Sequence, residues 1–300
     1  MDEFPQPGEL FCQRYKLLEQ LGAGGIGVVY NAIQLDCNRR IAIKILRAEI
    51  DSDDDLKARY LREARALAQL NHSGIVTVYH IGVSDTGFAY IAMELVDGIS
   101  LKKLLQQEQS LATLRALKLT RQIADALSFV HECGIVHRDL KPDNIIVVDL
   151  PEPDTVKLID FGLARHELEQ KLTRTGTLIG SASYMSPEQC QGKIADKRSD
   201  IYSLTICLYE MITGQKPFDA DNAVGLMYKH INDPIPLIKK TQVDRFDEKI
   251  NIVIAKGLAK QPEQRYQTMQ ELNADLDKLA ETLEAVKETS SKNKAKHFGR

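Results

Sequence analysis

The first third of the chain alternates apolar and polar residues in short runs, as half-buried β-strands do. Runs rich in valine, isoleucine and tyrosine predict strands at residues 15–21, 28–34, 41–46, 76–83 and 89–94. One helical pattern interrupts them at about residues 53–70, with Ser52 as a candidate N-cap and acidic residues in the first turn. This region therefore predicts a small β-rich unit with one main helix.

The pattern changes at Asp97 and Gly98, after which apolar residues recur with helical spacing. The predicted helices cover residues 114–131, 198–213, 223–231, 249–259 and 269–286. Residues 289–300 are polar and basic and show no period, so we expect a tail or linker there. The expected fold class is α+β, with a small β-rich lobe joined by a short hinge to a larger, mostly helical lobe.

Composition narrows the classes of function. A formal charge of -3 over 300 residues argues against nucleic acid as the main partner. No apolar run is long enough to span a membrane, and the acidic, proline-bearing N-terminus does not resemble a signal peptide. The five cysteines are an odd number without metal-binding spacing, so we expect reduced thiols in the cytoplasm.

Two motifs carry the chemistry. Residues 137–144 read His-Arg-Asp-Leu-Lys-Pro-Asp-Asn, and Asp-Phe-Gly follows at 160–162. Asp139 can orient a hydroxyl group and accept its proton, while Asn144 and Asp160 offer hard oxygen ligands for Mg²⁺. Phosphoryl transfer needs mainly positioning and charge neutralisation, which such residues supply. The motifs resemble the catalytic loop and metal motif of the eukaryotic-type protein kinases.

A glycine-rich run between two predicted strands gives the pattern G-x-G-x-x-G-x-V. Its residues are Leu21, Gly22, Ala23, Gly24, Gly25, Ile26, Gly27, Val28 and Val29. Glycines allow the backbone to bend tightly and bring its N–H groups close to phosphate oxygens. The pattern alone also fits dinucleotide-binding folds and ordinary hairpins, but a strand on both sides argues against a Rossmann turn.

Lys44 closes the apolar run Ile-Ala-Ile-Lys. Taken alone, it would be a strand-edge lysine with its ammonium group in water. The resemblance instead implies that Lys44 holds the α- and β-phosphates of ATP, with Glu63 of the predicted helix as its counter-charge. A surface ion pair within the helix is the alternative explanation for Glu63.

The resemblance also implies an adenine site after the last predicted strand of the first unit. The carbonyl of Glu94 and the N–H of Val96 would bind adenine, and Met93 would border the pocket. The residues expected to enclose the ring are Val29, Ala42 and Ile146. Apolar residues at these positions are equally compatible with core packing.

Specificity and control are implied by residues around the catalytic aspartate. Lys141 accompanies serine/threonine kinases and can neutralise the transferring phosphoryl group. Arg138 implies control by phosphorylation, since it could hold a phosphothreonine. Thr173 and Thr175 are the expected autophosphorylation sites, although exposed loop threonines are often only solvated.

The stretch Gly-Ser-Ala-Ser-Tyr-Met-Ser-Pro-Glu resembles the substrate-docking loop and Ala-Pro-Glu motif of the family, with Ser186 in place of alanine. Glu188 is expected to pair with a buried Arg265, and Asp200 to anchor the backbone of the catalytic loop. Thr205 stands where the family usually has glycine, a departure that affects local packing rather than chemistry.

The resemblance spans residues 15–279 and is strongest to the bacterial serine/threonine kinases. It implies a bilobal protein-kinase fold. The expected divisions are a leader at 1–11, a kinase domain at 12–281 (N-lobe 12–96, hinge 94–98, C-lobe 99–281), and a helix end with a basic tail or juxtamembrane linker at 282–300.

The function implied is transfer of the γ-phosphoryl group of ATP to serine and threonine hydroxyls of proteins, with Mg²⁺ or Mn²⁺ as cofactor. Expected partners are protein substrates and a transient second copy for autophosphorylation in trans, with a membrane involved only if the tail continues into a span. A pseudokinase is the first alternative, but it predicts loss of a motif residue, and none is lost. A small-molecule kinase is the second, but such enzymes rarely carry a complete segment ending in Pro-Glu.

Overall fold

A computed structural model describes residues 4–24, 27–46, 54–149, 154–161, 182–239 and 244–297. These residues form two compact units that divide between Asp97 and Gly98. The change of pattern in the sequence falls at the same two residues.

The first unit is an antiparallel sheet with one helix. Its strands are β1 (Leu10–Phe11), β2 (Tyr15–Ala23), β3 (Gly27–Gln34), β4 (Arg39–Leu46), β5 (Val78–Val83) and β6 (Ala89–Glu94). They lie in the order β1-β2-β3-β4-β6-β5, and helix α1 (Asp54–Leu67) packs against β5 and β6. All five predicted strands and the helix are confirmed. The predicted cap Ser52 lies outside the described residues.

One face of this sheet carries an aromatic core that includes residues from the predicted leader. The ring of Phe4 stacks on Phe88 at 6.0 Å between centroids, and Phe11 meets Tyr90 edge-on at 5.1 Å. The hydroxyl of Tyr30 donates to the carbonyl of Pro5 at 2.8 Å. Phe4, Pro5 and Phe11 therefore hold this segment on the sheet, and the apolar area that the two rings cover stabilises the sheet.

The second unit is mostly helical. Its helices are α2 (Leu101–Glu108), α3 (Thr113–Glu132), α4 (Pro187–Cys190), α5 (Lys197–Thr213), α6 (Ala223–Asn232), α7 (Asp244–Gly257) and α8 (Met269–His297). Strands β7 (Ile99–Ser100), β8 (Ile145–Val148) and β9 (Thr155–Leu158) form a small antiparallel sheet. Helix α3 is central, since it packs against α5, α8 and β9.

Two predicted boundaries in this unit were wrong. Helix α7 begins at Asp244 rather than near residue 249. Helix α8 continues to His297, although we expected an aperiodic tail from residue 289. Alanine, lysine and glutamate are strong helix formers, and the segment holds no glycine or proline before Gly299, so the helix propagates without an apolar period.

Thr205, which stands where the family usually has glycine, packs against Gly257. Its hydroxyl donates to the carbonyl of Ile201 one turn earlier in α5, at 2.7 Å. A Cβ added to Gly257, at the end of α7, would overlap the Thr205 side chain. Because Gly257 of α7 has no side chain, α5 can carry the Thr205 side chain at this contact. The departure from the family pattern therefore leaves the packing intact.

We predict that Gly257→Ala destabilises the protein by roughly 1–3 kcal/mol, because the new methyl group overpacks against Thr205. Urea unfolding would measure this. The matched control is Gly225→Ala in α6, where the added Cβ would meet its nearest neighbour at an ordinary 3.4 Å. Since alanine is the better helix former, that control should be neutral or stabilising by up to about 1 kcal/mol. The double variant Thr205→Gly/Gly257→Ala should lose less stability than the sum of the losses in the two single variants. A loss equal to that sum would contradict the packing argument.

Candidate active site

The glycine-rich run forms the end of the β2–β3 hairpin, as the sequence predicted. Gly22 pairs with Val29, and the N–H of Gly24 donates to the carbonyl of Gly27 at 2.9 Å. Gly27 lies so close to the backbone carbonyl of Ile45 that a Cβ there would overlap it. A glycine is therefore required at this close approach of β3 and β4. Gly25 and Ile26 lie outside the described residues.

Lys44 lies on β4 inside the sheet, between Val29 of β3 and Ile91 of β6. The residue is only 6% exposed, which rules out the alternative of a strand-edge lysine with its ammonium group in water. A buried ammonium is costly unless a counter-charge accompanies it. Glu63 lies half-buried on α1 in the same unit, and its pairing with Lys44 stays a prediction.

Strand register gathers several of the predicted nucleotide residues on one face of the sheet. Side chains of paired residues share a face, as do those of residues two apart along a strand. Val29 pairs with Lys44, and Ala42 pairs with Met93, so all four lie on the face opposite the aromatic core. Glu94 and Val96 follow at the end of the unit, both half-buried.

In the second unit, the catalytic loop is held by the carboxylate of Asp200. This residue of α5 is 1% exposed, and it accepts the backbone N–H groups of His137 at 2.8 Å and Arg138 at 2.9 Å. The Nε2 atom of His131, on α3, lies 2.8 Å from the same carboxylate. The expected anchoring role of Asp200 is confirmed.

The four predicted chemical residues of this unit converge. The Nζ atom of Lys141 donates to Oδ2 of Asp139 at 3.0 Å. The amide nitrogen of Asn144 donates to the carbonyl of Asp139 at 2.8 Å and to that of Asp160 at 3.3 Å. Strands β8 and β9 produce this meeting, because Asn144 precedes one strand and Asp160 follows the other. Ile146, also expected near the nucleotide, lies half-buried on β8.

The rings of His137 and Phe161 pack together. Their ring centroids lie 4.5 Å apart, and both side chains are buried. Burial lowers the pKa of His137, although the nearby carboxylates of Asp200 and Asp160 oppose the shift. The imidazole is therefore neutral near pH 7, and its Nδ1 atom accepts the N–H of Asp139 at a long 3.3 Å.

The predicted pair of Glu188 and Arg265 is present. Nη1 and Nη2 of Arg265 each donate to one carboxylate oxygen at 2.7 Å, and Ser199 donates to Oε1 at 2.6 Å. Burial raises the pKa of Glu188, but these donors outweigh it, so the pKa lies below its ordinary value. The pair is thus ionised and satisfied, and it ties α4 to a residue 77 positions further along the chain.

Ser186 has a role that we did not predict. Its hydroxyl caps α4 by accepting the N–H of Gln189, whose side-chain oxygen accepts the Ser186 N–H in return. Serine three residues before glutamine is the capping-box pattern, so the sequence Ser-Pro-Glu-Gln could have revealed it. Serine in place of the family alanine therefore strengthens the start of the helix.

The regulatory residues are only partly described. Arg138 is half-buried in the catalytic loop, with a backbone φ of 64°. Thr173 and Thr175 lie outside the described residues. The described part of the chain also holds no cluster of three or more histidine, cysteine, aspartate or glutamate side chains that could bind a metal.

The protein kinase domain matches residues 15–276 of the sequence. The chain belongs to the protein kinase family. A probable serine/threonine-protein kinase of Clostridium acetobutylicum is 41% identical over 91% of this chain and 40% of its own length. The serine/threonine-protein kinase PknB of Mycobacterium tuberculosis is 41% identical over 88% of this chain and 42% of its own length.

Solved structures agree. The kinase domain of Mycobacterium tuberculosis PknI matches with a TM-score of 0.73 and 25% identity, over 92% of this chain and 99% of that domain. The predicted likeness to bacterial serine/threonine kinases and the predicted bilobal kinase fold are therefore confirmed. This kinase domain spans about two fifths of the length of the curated relatives that it matches. Among the described helices, none combines the length and apolar character needed to cross a membrane.

Proposed function

We propose that the protein transfers the γ-phosphoryl group of ATP to serine and threonine hydroxyls of protein substrates. The observation that carries this is the convergence of Asp139, Lys141, Asn144 and Asp160 around one point of the second unit. Relatives 41% identical are named serine/threonine-protein kinases, which supports the class of substrate.

The second unit supplies the groups that act on the transferring phosphate. Asp139 orients the attacking hydroxyl and accepts its proton, and Lys141, 3.0 Å from that carboxylate, neutralises charge on the phosphoryl group. Asn144 and Asp160 hold Mg²⁺ or Mn²⁺, with their oxygens as the hard ligands that such ions prefer. The ion, when bound with ATP, neutralises charge on the phosphate oxygens.

The first unit supplies the remaining nucleotide contacts. Lys44 binds the α- and β-phosphates with Glu63 as its counter-charge, and the hairpin of residues 21–29 covers the phosphates with its backbone N–H groups. Adenine binds the Glu94 carbonyl and the Val96 N–H. The apolar residues of this unit that border the ring are Val29, Ala42 and Met93.

The site argues against the two alternative functions. A binding-only pseudokinase would have lost one of the converging residues. All four are present, and Asp139, Lys141 and Asn144 are hydrogen-bonded through their side chains. A small-molecule kinase would not need the buried Glu188–Arg265 pair, which holds the Pro-Glu end of a protein-docking segment. We further propose a cytoplasmic location, with membrane attachment only through a span in a longer chain.

We predict that Asp139→Asn lowers phosphoryl transfer by at least about a hundredfold, because the amide cannot accept the hydroxyl proton. The fold and ATP affinity should be retained, since asparagine has nearly the same shape. A labelled-ATP assay on a peptide library would measure the transfer, with circular dichroism and ATP calorimetry as controls. Near-normal turnover in a folded Asp139→Asn protein would remove this residue from the mechanism.

Metal binding should depend on nucleotide. Asn144 and Asp160 supply few ligands for Mg²⁺, which keeps several of its waters, so tight binding should also need phosphate oxygens of the nucleotide. Calorimetry should therefore show weak heats for Mg²⁺ alone and saturable binding in the presence of a non-hydrolysable ATP analogue. Asp160→Asn is the matched variant, and it should abolish the difference. Tight Mg²⁺ binding without nucleotide would contradict the assignment.

We also predict autophosphorylation in trans at Thr173 or Thr175. A phosphate there adds nearly two negative charges and three strong acceptors, which Arg138 and a second basic side chain can bind. Activation by trans transfer requires two molecules to meet, so its rate should rise with enzyme concentration. Thr177 is the less favoured site, since a phosphate closer to the docking segment would crowd the substrate.

Mass spectrometry of the protein made alone, beside the Asp139→Asn form, would locate the phosphate. We expect modification of the active protein only. The regulatory proposal fails if neither Thr173 nor Thr175 is modified, or if the variant Thr173→Ala/Thr175→Ala is fully active.

A further inference from the structure

The side-chain amide of Gln189 connects helix α4 to the catalytic loop. Its Oε1 atom accepts from the N–H of Ser186 at 3.0 Å, and its Nε2 atom donates to the carbonyl of Arg138 at 2.9 Å. A backbone N–H can only donate and a carbonyl can only accept, so these two partners fix which end of the amide is which. Both ends of the half-buried side chain are thereby held.

The carbonyl that Gln189 binds belongs to a strained residue. Arg138 has a φ of 64°, a left-handed conformation that residues with a Cβ adopt only when their surroundings hold them there. Its N–H donates to Asp200, and its carbonyl accepts from Gln189. One hydrogen bond thus holds the peptide group on each side of the Arg138 Cα atom.

The second of these peptide groups contains the nitrogen of Asp139. Its orientation therefore determines where the Cα–Cβ bond of Asp139 points, and with it the carboxylate that meets Lys141 and Asn144. A rotation of this peptide group would displace the carboxylate from the attacking hydroxyl. Displacements of about 1 Å can lower a rate a hundredfold.

Gln189 has a side-chain N–H group that the helix cap does not need. Glutamate serves as well as glutamine at the third position of a capping box, because only the side-chain oxygen is used there. Of these two residues, only glutamine also has a side-chain N–H that can reach the carbonyl of Arg138. We propose that Gln189 is a positioning residue for Asp139, acting through the carbonyl of Arg138; this inference rests on the proposed kinase function.

The test compares Gln189→Glu with wild type. Glutamate keeps the acceptor for Ser186 but places an oxygen against the Arg138 carbonyl, so the cap survives while the link to the loop is lost. We expect kcat to fall roughly ten- to hundredfold, with KM for ATP unchanged, in an assay well below the unfolding temperature. Gln189→Met, which removes both bonds, should lower kcat at least as much and guards against a charge effect specific to glutamate.

The control is Asn222→Ala, which removes the N-cap contact to Gly225 at the start of α6. It should lower the unfolding temperature and leave kcat unchanged, which separates loss of a cap from loss of positioning. Hydrogen exchange at the amides of residues 137–140 should increase in both Gln189 variants and not in Asn222→Ala. Wild-type kcat in a folded Gln189→Glu protein, or unchanged exchange at these amides, would overturn the inference.

The two proposals fail separately. If wild type transfers no phosphate to any peptide, the proposed function is wrong. The hydrogen-exchange comparison then still decides whether Gln189 holds the loop. If wild type is active and both Gln189 variants match it, only the positioning inference is wrong.

Discussion

The catalytic loop depends on one buried carboxylate. Residues 137–141 form no regular secondary structure, so their backbone N–H groups must find partners outside a ladder or a helix. Asp200 accepts two of those groups at 2.8 and 2.9 Å, and it contacts His131 as well. A carboxylate buried at this depth needs such donors, and the loop without the carboxylate would leave buried N–H groups unsatisfied. Each therefore requires the other.

The position of helix α4 depends on the Glu188–Arg265 ion pair. The Arg265 side chain is fully buried, and besides the carboxylate it donates to the backbone carbonyls of Ala259, Lys260 and Arg198. Removing one partner of a pair this well satisfied typically costs about 3–5 kcal/mol, because the other charge remains buried. The pair fixes α4 relative to α5 and the segment before α8. Since Gln189 follows Glu188 directly, the same ion pair sets the place from which its amide reaches the catalytic loop.

Much of the fold and of the candidate site could be predicted from the sequence, for reasons that differ between residues. Alternating apolar and polar residues predict strands β2 to β6. The change from this alternation to helical spacing marks Asp97 and Gly98. The partners of Glu188 and Asp200 lie 77 and about 63 positions away in the chain, so only resemblance to a family could supply them. Helix α2 was missed because eight residues give little periodic signal, and short helices depend on packing of residues such as Leu104. The Thr205–Gly257 contact could not be predicted, since it requires knowing that α5 and α7 are neighbours.

Strained backbone occurs at two residues beside the proposed catalytic aspartate. Arg138 and Asp160 both have positive φ, at 64° and 54°, and such residues cost of order 1–3 kcal/mol each. Arg138 directly precedes Asp139 in the chain, and the side-chain amide of Asn144 donates to the carbonyls of both Asp139 and Asp160. Hydrogen bonds from packed elements hold this strained backbone in place. They come from α5 through Asp200, from α4 through Gln189, and from the β8–β9 hairpin through Asn144. A reactive carboxylate on an unsupported loop would sample many orientations. Here two helices and a hairpin hold the backbone on either side of it, which is the preorganisation that the proposed phosphoryl transfer would need.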